Sequence, residues 1–246
     1  MLAIIGGSGL TQLANLEVTH QRAVPTPYGE ASGALTFGTI RGRQVMFLAR
    51  HGYGHTLPPH DVNYRANLWA LKQEGASAVI SVASVGGIRS DLGPGAIVVP
   101  DQIIDYTWGR HSTYFEGGKM PVRHVDFTEP FSARLRELLM RAAAACGETV
   151  KEGGVYATSQ GPRLETRAEI NRLERDGADM VGMTGMPEAV LAREIDLDYA
   201  MLAVVVNHAA GRGDSVNGIR LEQIEEKLAE TLGRARRILD ELVLLL

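Results

Sequence analysis

A single cysteine, Cys146, stands in the 246-residue sequence, so no disulfide can form within the chain and a reducing compartment is the expected setting. No apolar run approaches the ~18 residues that a membrane-spanning helix needs. The N-terminus lacks the charged region and long apolar stretch of a secretory signal. It passes directly from Leu2-Ala-Ile-Ile5 into glycines, which predicts a cytoplasmic protein. Neither sign of charge is in excess. The net charge of −4, with basic residues interspersed among acidic ones, gives no global attraction to nucleic acid or to an anionic membrane. Linkers, low-complexity segments, charge blocks and internal repeats are all missing. With 45% apolar residues, positions 1–246 read as one domain with a sizeable core.

Several chemistries are missing as well. No lysine follows a glycine-rich loop in the Walker pattern. A dinucleotide fingerprint counted from Gly7 fails at Gln12, where the third glycine belongs, and Leu16–His20 reads as a strand where that fold needs a helix. His51 and His55 are four residues apart, but they lie in a Gly/Pro-rich loop without the glutamate of a zincin helix. Neither a metal nor a cofactor is expected. Cys146, near a helix end, reads as a small core residue.

What is present alternates strand and helix patterns. Strand-type runs occur at Leu2–Ile5, Leu35–Ile40, Gln44–Ala49, Ala78–Ala83, Ile97–Val99, Gly154–Thr158 and Tyr199–Val206. Arg41-Gly42-Arg43 joins two of them as a hairpin. Helices are predicted from Asp61, as cap, to about Glu74, over Phe131–Cys146, from Pro187 to Glu194, after Arg163 to about Arg175, and from Leu221 to about Leu245. Tyr106–Val122 is a long irregular loop of the kind that serves function or an interface. The fold class is α/β: a mixed, mostly parallel sheet with helices on both faces.

Polar residues gather where strands end. Tyr199–Val206 is the near-continuous apolar run of a strand covered on both faces, and it stops at Asn207-His208. Open α/β sheets bind ligands at strand carboxyl ends; Asn207 could equally begin a turn. Gly6-Gly7-Ser8-Gly9 and Ser84-Val85-Gly86-Gly87 read as loops whose backbone N–H groups can cradle an anion, or as plain tight turns. Arg50-His51 adds a guanidinium fork and a second donor after one strand, and Thr184 ends another. Along one sheet edge, this set would enclose a phosphate without a metal.

The segments IIGGSGL, LARHGYGHTLPPHDVNYRANLWALK, SQGPRLETRAEI and MVGMTGMPEAVLAREI resemble, in order and over nearly the whole chain, the signature segments of the trimeric purine nucleoside phosphorylase and 5′-methylthioadenosine phosphorylase family. The resemblance implies phosphorolysis of a purine nucleoside, with inorganic phosphate as co-substrate, by a homotrimer. It implies that Ser8, Arg50, His51, Ala83, Ser84 and Thr184 surround phosphate, that Met183 lies against the ribose, and that Asn207 recognises the base. Asn207, Ser8, Arg50 and His51 are then the catalytic set. Ala83 departs from the threonine usual in the methylthioadenosine enzymes and removes one hydroxyl donor.

Two further positions bear on the substrate. Adenine-selective relatives carry aspartate at the position of Asn207 and again two residues later, where this chain has Ala209. An amide can donate to O6 and accept from a protonated N7, which suits a 6-oxopurine. By resemblance Glu165 accepts the N1 hydrogen of such a base, although a carboxylate there could also complement the dipole of the following helix. Leu164 replaces the aromatic residue that commonly stacks on the base. At the 5′ end, Leu221 and Ile224 stand where inosine-cleaving relatives have a histidine, which suits a methylthio group or simple packing against the sheet. His55 and His124 are similar to residues bordering the 5′ end, the latter lent by a neighbouring subunit. The expected substrate is a 5′-methylthio nucleoside of a 6-oxopurine. The alternatives are methylthioadenosine, then inosine or guanosine, and outside catalysis a nucleotide-sensing module that keeps the base site without the anion set.

Overall fold

The computed structural model describes residues 1–117 and 121–246. Residues 118–120 of the loop predicted over Tyr106–Val122 lie outside the described residues. In chain order the elements are β1 (Leu2–Gly6), β2 (Glu17–Arg22), β3 (Leu35–Ile40), β4 (Arg43–Ala49), α1 (Tyr64–Gln73), β5 (Ala78–Gly87), β6 (Ile97–Val99) and β7 (Gln102–Asp105). There follow α2 (Ala133–Ala145), β8 (Lys151–Glu152), β9 (Val155–Thr158), α3 (Arg167–Arg175), β10 (Met180–Gly182), α4 (Gly185–Glu194), β11 (Asp198–His208) and α5 (Leu221–Leu245).

Local chemistry explains most boundaries. Arg41 and Gly42 both have positive φ, the two-residue turn whose twist matches a β3–β4 hairpin. Helix α1 is capped by Asn63, whose side chain accepts from the Ala66 amide, and not by the predicted Asp61. Asp61 is exposed in the turn before it. Gly75, at positive φ, ends that helix as expected. Helix α3 opens on a capping box: the Thr166 hydroxyl accepts from the Glu169 amide while the Glu169 carboxylate accepts from the Thr166 amide. The short β7 and β8 escaped the sequence reading because two to four residues carry too little periodicity.

Among the described residues, eleven strands join one mixed sheet with the path β2-β3-β4-β1-β5-β10-β9-β7, and β11 lies on β5 with β6 and β8 beyond it. Parallel pairings predominate, as predicted. Alternate residues of the central strands feed two cores. Ala3, Ile5, Val79, Met201 and Val205 pack with Leu68 of α1 and Leu191 of α4. Leu2, Ile4, Ile80, Leu202 and Val204 pack with Leu139 of α2 and Leu239 of α5. Strand β11 is therefore covered on both faces, the environment its apolar run requires.

The predicted loop Ser84–Gly87 is a continuation of β5, which runs to Gly87 because β11 pairs it along its whole length. On its other edge β5 changes partner. Strand β1 pairs it as far as Val82, whereas β10 joins only at Gly86, in the opposite direction. Between those pairings lie Ala83, Ser84 and Val85, and the sheet splits there. Such a divergence of strands is where an open α/β sheet leaves room for a ligand.

Candidate active site

A cavity of about 600 Å³ occupies the split, walled by the carboxyl ends of β1, β4, β5, β10 and β11. Ser8, Arg50, His51, Ala83, Ser84 and Thr184 line it together with Glu165, Leu164, Asn207, Met183, His55 and Ile224. Residues from seven segments thus meet in one volume. Two expected residues are not among them. Leu221 is 65% exposed at the first turn of α5, and Ile219, two residues earlier, lines the cavity in its place. His124 is exposed and does not line the cavity of its own chain.

Where β1 enters the cavity, its following turn closes with the Leu10 amide donating to the Gly7 carbonyl. A side chain at Gly7 would come within 2.8 Å of Arg50 Nη1, so glycine is what lets the guanidinium approach this backbone. Arg50 is only 1% exposed. Its Nε and Nη2 donate to the two oxygens of Glu188 at 2.7 and 3.0 Å, Nη2 also donates to Ser81 Oγ at 2.6 Å, and Nη1 to the Val82 carbonyl at 3.3 Å. The Tyr199 hydroxyl donates to the same carboxylate at 2.8 Å. Burial works against the Arg50 charge, and Glu188 alongside more than offsets it. The guanidinium fork expected of Arg50 is one half of a buried ion pair, with Nη1 as the nitrogen on the Gly7 side. Removing either half of such a pair would strand the other, a loss of typically 3–5 kcal/mol.

His51 Nδ1 lies 2.8 Å from the Leu57 carbonyl, which can only accept, so Nδ1 carries the proton. Burial, and then the Arg50 charge, push the ring down to about 4. His51 is therefore neutral, with Nε2 an acceptor, which corrects the expectation of a second donor. Its ring stacks on that of His55 with centroids 4.9 Å apart. Thr184 precedes α4 without spending its hydroxyl on the cap, and its amide is held by the Tyr156 hydroxyl.

At the opposite end, Asn207 sits where the β11 register shifts, between Val205 and Asn207, so the strand turns its last residues without stopping. The turn reading of Asn207 is thereby set aside. Its Nδ2 donates to the His208 carbonyl at 2.7 Å, which fixes the amide and leaves Oδ1 as a free-standing acceptor. Glu165 accepts from the Ser159 hydroxyl. The dipole-complementing role belongs instead to Glu169 in the first turn of α3, so Glu165, just before the cap, is left to the cavity. Burial pushes the Glu165 carboxyl up from its usual range, against the Ser159 hydrogen bond. Leu164 is 39% exposed at the rim.

The sequence reading missed Glu188, Tyr199, Ser159 and Ile219. A signal existed for Glu188, a lone charge inside the otherwise apolar Met186-Pro-Glu-Ala-Val-Leu-Ala192. Nothing local marks its partner. Among the described residues, no group of three or more His, Cys, Asp or Glu is placed to hold a metal ion, and no helix is long and apolar enough to cross a membrane.

The model of the phosphorylase superfamily matches residues 1–244. The chain belongs to that superfamily. The phosphorylase is 54% identical over 237 residues to a Pseudomonas syringae protein named "Probable S-methyl-5′-thioinosine phosphorylase", covering 96% of each chain. It is 42% identical to the 6-oxopurine nucleoside phosphorylase of Pyrococcus furiosus over 94% of this chain and 88% of that one. Among solved structures, the methylthioadenosine phosphorylase of Schistosoma mansoni in complex with adenine superposes with a TM-score of 0.93 at 33% identity, over 99% of this phosphorylase and 91% of that chain.

Proposed function

We propose that this phosphorylase cleaves S-methyl-5′-thioinosine with inorganic phosphate, forming hypoxanthine and 5-methylthioribose 1-phosphate. The observation that carries the reading is the fixed amide of Asn207 facing the same cavity as Glu165. With Nδ2 committed to the His208 carbonyl, Oδ1 is set to accept from a protonated N7, and the second Nδ2 hydrogen remains for O6. An ionised Glu165 accepts from N1–H. The names of the similar phosphorylases, S-methyl-5′-thioinosine and 6-oxopurine, support the same base class. Ile219 and Ile224 supply the apolar lining suited to a methylthio group, with Ile219 taking the part first expected of Leu221.

In this reading hydrogen phosphate lies against Ser8, Arg50 Nη1, Ser84 and Thr184, in line with the anomeric carbon. A phosphate oxygen forms the bond to C1′ while the C1′–N9 bond breaks and its electron pair passes to the purine. The proton carried by hydrogen phosphate is balanced by the one that appears on the base. Because Glu188 neutralises Arg50 and His51 is uncharged, the anion is held by directed donors more than by net charge. His51 Nε2 can accept the phosphate's own hydroxyl. Met183 borders the ribose, and the working unit is a cytoplasmic homotrimer in which His124 of each subunit reaches a neighbouring 5′ site.

A second reading has one observation in its favour. A Glu165 kept protonated by its burial would donate to adenine N1, which suits methylthioadenosine. The test is phosphate-dependent base release from methylthioinosine, methylthioadenosine and inosine side by side. Methylthioinosine should be the best by at least about tenfold in kcat/KM. Methylthioadenosine in first place would overturn the base assignment, and inosine in first place the apolar 5′ pocket.

A further inference from the structure

The segment after β7 carries Arg110, a half-buried arginine that lines no part of the cavity and pairs with no carboxylate among the described residues. Its guanidinium is spent on backbone carbonyls from two different strand ends. Nη1 donates to the Met183 carbonyl at 2.8 Å and the Met186 carbonyl at 2.7 Å. Nη2 donates to the Gln160 carbonyl at 2.9 Å and reaches the Ser159 carbonyl at 3.4 Å. The Tyr64 ring lies beneath the cation, 5.6 Å from its centroid. A planar fork of fixed geometry is what lets one side chain bridge two loops; an ammonium has one point of charge and cannot do so.

The two loops follow the adjacent, paired strands β9 and β10, and both supply residues to the cavity wall. Ser159 follows β9 and holds the Glu165 carboxylate through its hydroxyl. Met183 and Thr184 follow β10 and lie on the cavity wall. We infer that Arg110 is a positioning residue that couples the base-binding loop to the loop contacting ribose and phosphate, so that occupation of one subsite prepares the other. The inference rests on the reading of this cavity as a nucleoside phosphorylase site. Arg110 itself touches neither substrate.

A purely structural role, anchoring its own segment, is already filled by other contacts. The Tyr106 hydroxyl donates to Asp176 at 2.6 Å, the Tyr114 amide and Thr113 hydroxyl donate to Glu194 at 2.8 and 2.7 Å, and the Tyr114 hydroxyl donates to the Arg65 carbonyl at 2.9 Å. Arg110 can therefore be removed with the segment still tied on both sides of it. What is lost is the bridge between the carbonyls of Ser159/Gln160 and Met183/Met186.

The experiment uses the full chain as wild type, Arg110→Ala, Arg110→Lys and, as an anchoring control, Tyr106→Phe. The readouts are kcat and KM for nucleoside and phosphate, the melting temperature, and hypoxanthine affinity with and without phosphate. Arg110→Ala should lose about 10²-fold in kcat through misplaced loops while melting close to wild type. Millimolar guanidinium should restore part of that loss, and Arg110→Lys should fall between. Phosphate should tighten hypoxanthine binding in the wild type and in Tyr106→Phe but not in Arg110→Ala. An Arg110→Ala enzyme with wild-type kcat and intact phosphate–base coupling would overturn the inference alone, as would a loss matched by Tyr106→Phe. If the wild type prefers methylthioadenosine, the same comparison is made on that nucleoside and with adenine. A wild type that cleaves no purine nucleoside overturns the underlying reading and the coupling with it.

Discussion

In the proposed reading, base choice rests on two side chains whose protons are set by their neighbours. Asn207 is oriented because only an N–H can face the His208 carbonyl. In Asn207→Asp a carboxylate would meet that carbonyl without a donor, and its outer oxygen would accept from a 6-amino group. The ratio of kcat/KM for methylthioadenosine over methylthioinosine should rise by at least about tenfold, and an unchanged ratio removes Asn207 from base recognition. Glu165 adds a pH signature. Burial raises its carboxyl, so a protonated fraction persists above the usual carboxylate range. If Glu165 faces N1 as proposed, the ionised form accepts N1–H of a 6-oxopurine and the protonated form donates to adenine N1. Lowering the pH into the range where this carboxyl takes up its proton should therefore favour the 6-amino nucleoside progressively, and Glu165→Gln should flatten the trend. A ratio independent of pH in the wild type would mean that Glu165 does not face N1.

Helix α3 shows how an element delivers a residue. Glu165 stands immediately before the Thr166 cap, and the capping box with Arg163 bound to Glu169 at 2.7 and 2.8 Å fixes where that helix begins. Thr166→Ala should lower stability to urea by about 1 kcal/mol, the usual size for a lost cap. It should also raise KM for the nucleoside more than KM for phosphate, because the disturbed turn carries Glu165 and not the anion donors. Equal effects on both KM values would show that the turn acts on the whole cavity. The sequence holds a capping signal for this helix, Thr166 and Glu169 three apart, which the expectation of a helix after Arg163 did not use. Strand β5 was legible only as far as Ala83. Its last residues, glycine-rich and weak in propensity, are strand because β11 pairs them on one edge and β10 begins on the other.

At the scale of the whole molecule, the sheet split between β1 and β10 makes the cavity, and the proposed trimer completes it. The His124 proposal makes a prediction that one chain cannot satisfy. His124→Ala and Asn207→Ala subunits, each impaired alone, should regain activity when co-assembled, because an intact Asn207 in one subunit then meets an intact His124 from its neighbour. Light scattering should give three times the chain mass. Absence of recovery in verified mixed trimers would place His124 outside the neighbouring site.

What the sequence determined by itself was whatever depends on near neighbours along the chain. The apolar run ending at Asn207, the hairpin at Arg41-Gly42 and the helix from Pro187 all follow from periodicity and turn chemistry acting over a few residues. Tertiary structure alone decided that Arg50 is bound to Glu188, 138 positions away, and that the arginine is consequently neutralised in a buried pair. It decided that Ile219 and not Leu221 faces the cavity, and that Arg110 ties two strand ends together. Pairings of this kind depend on which distant segments the sheet order brings side by side, and no local pattern of side chains records that order.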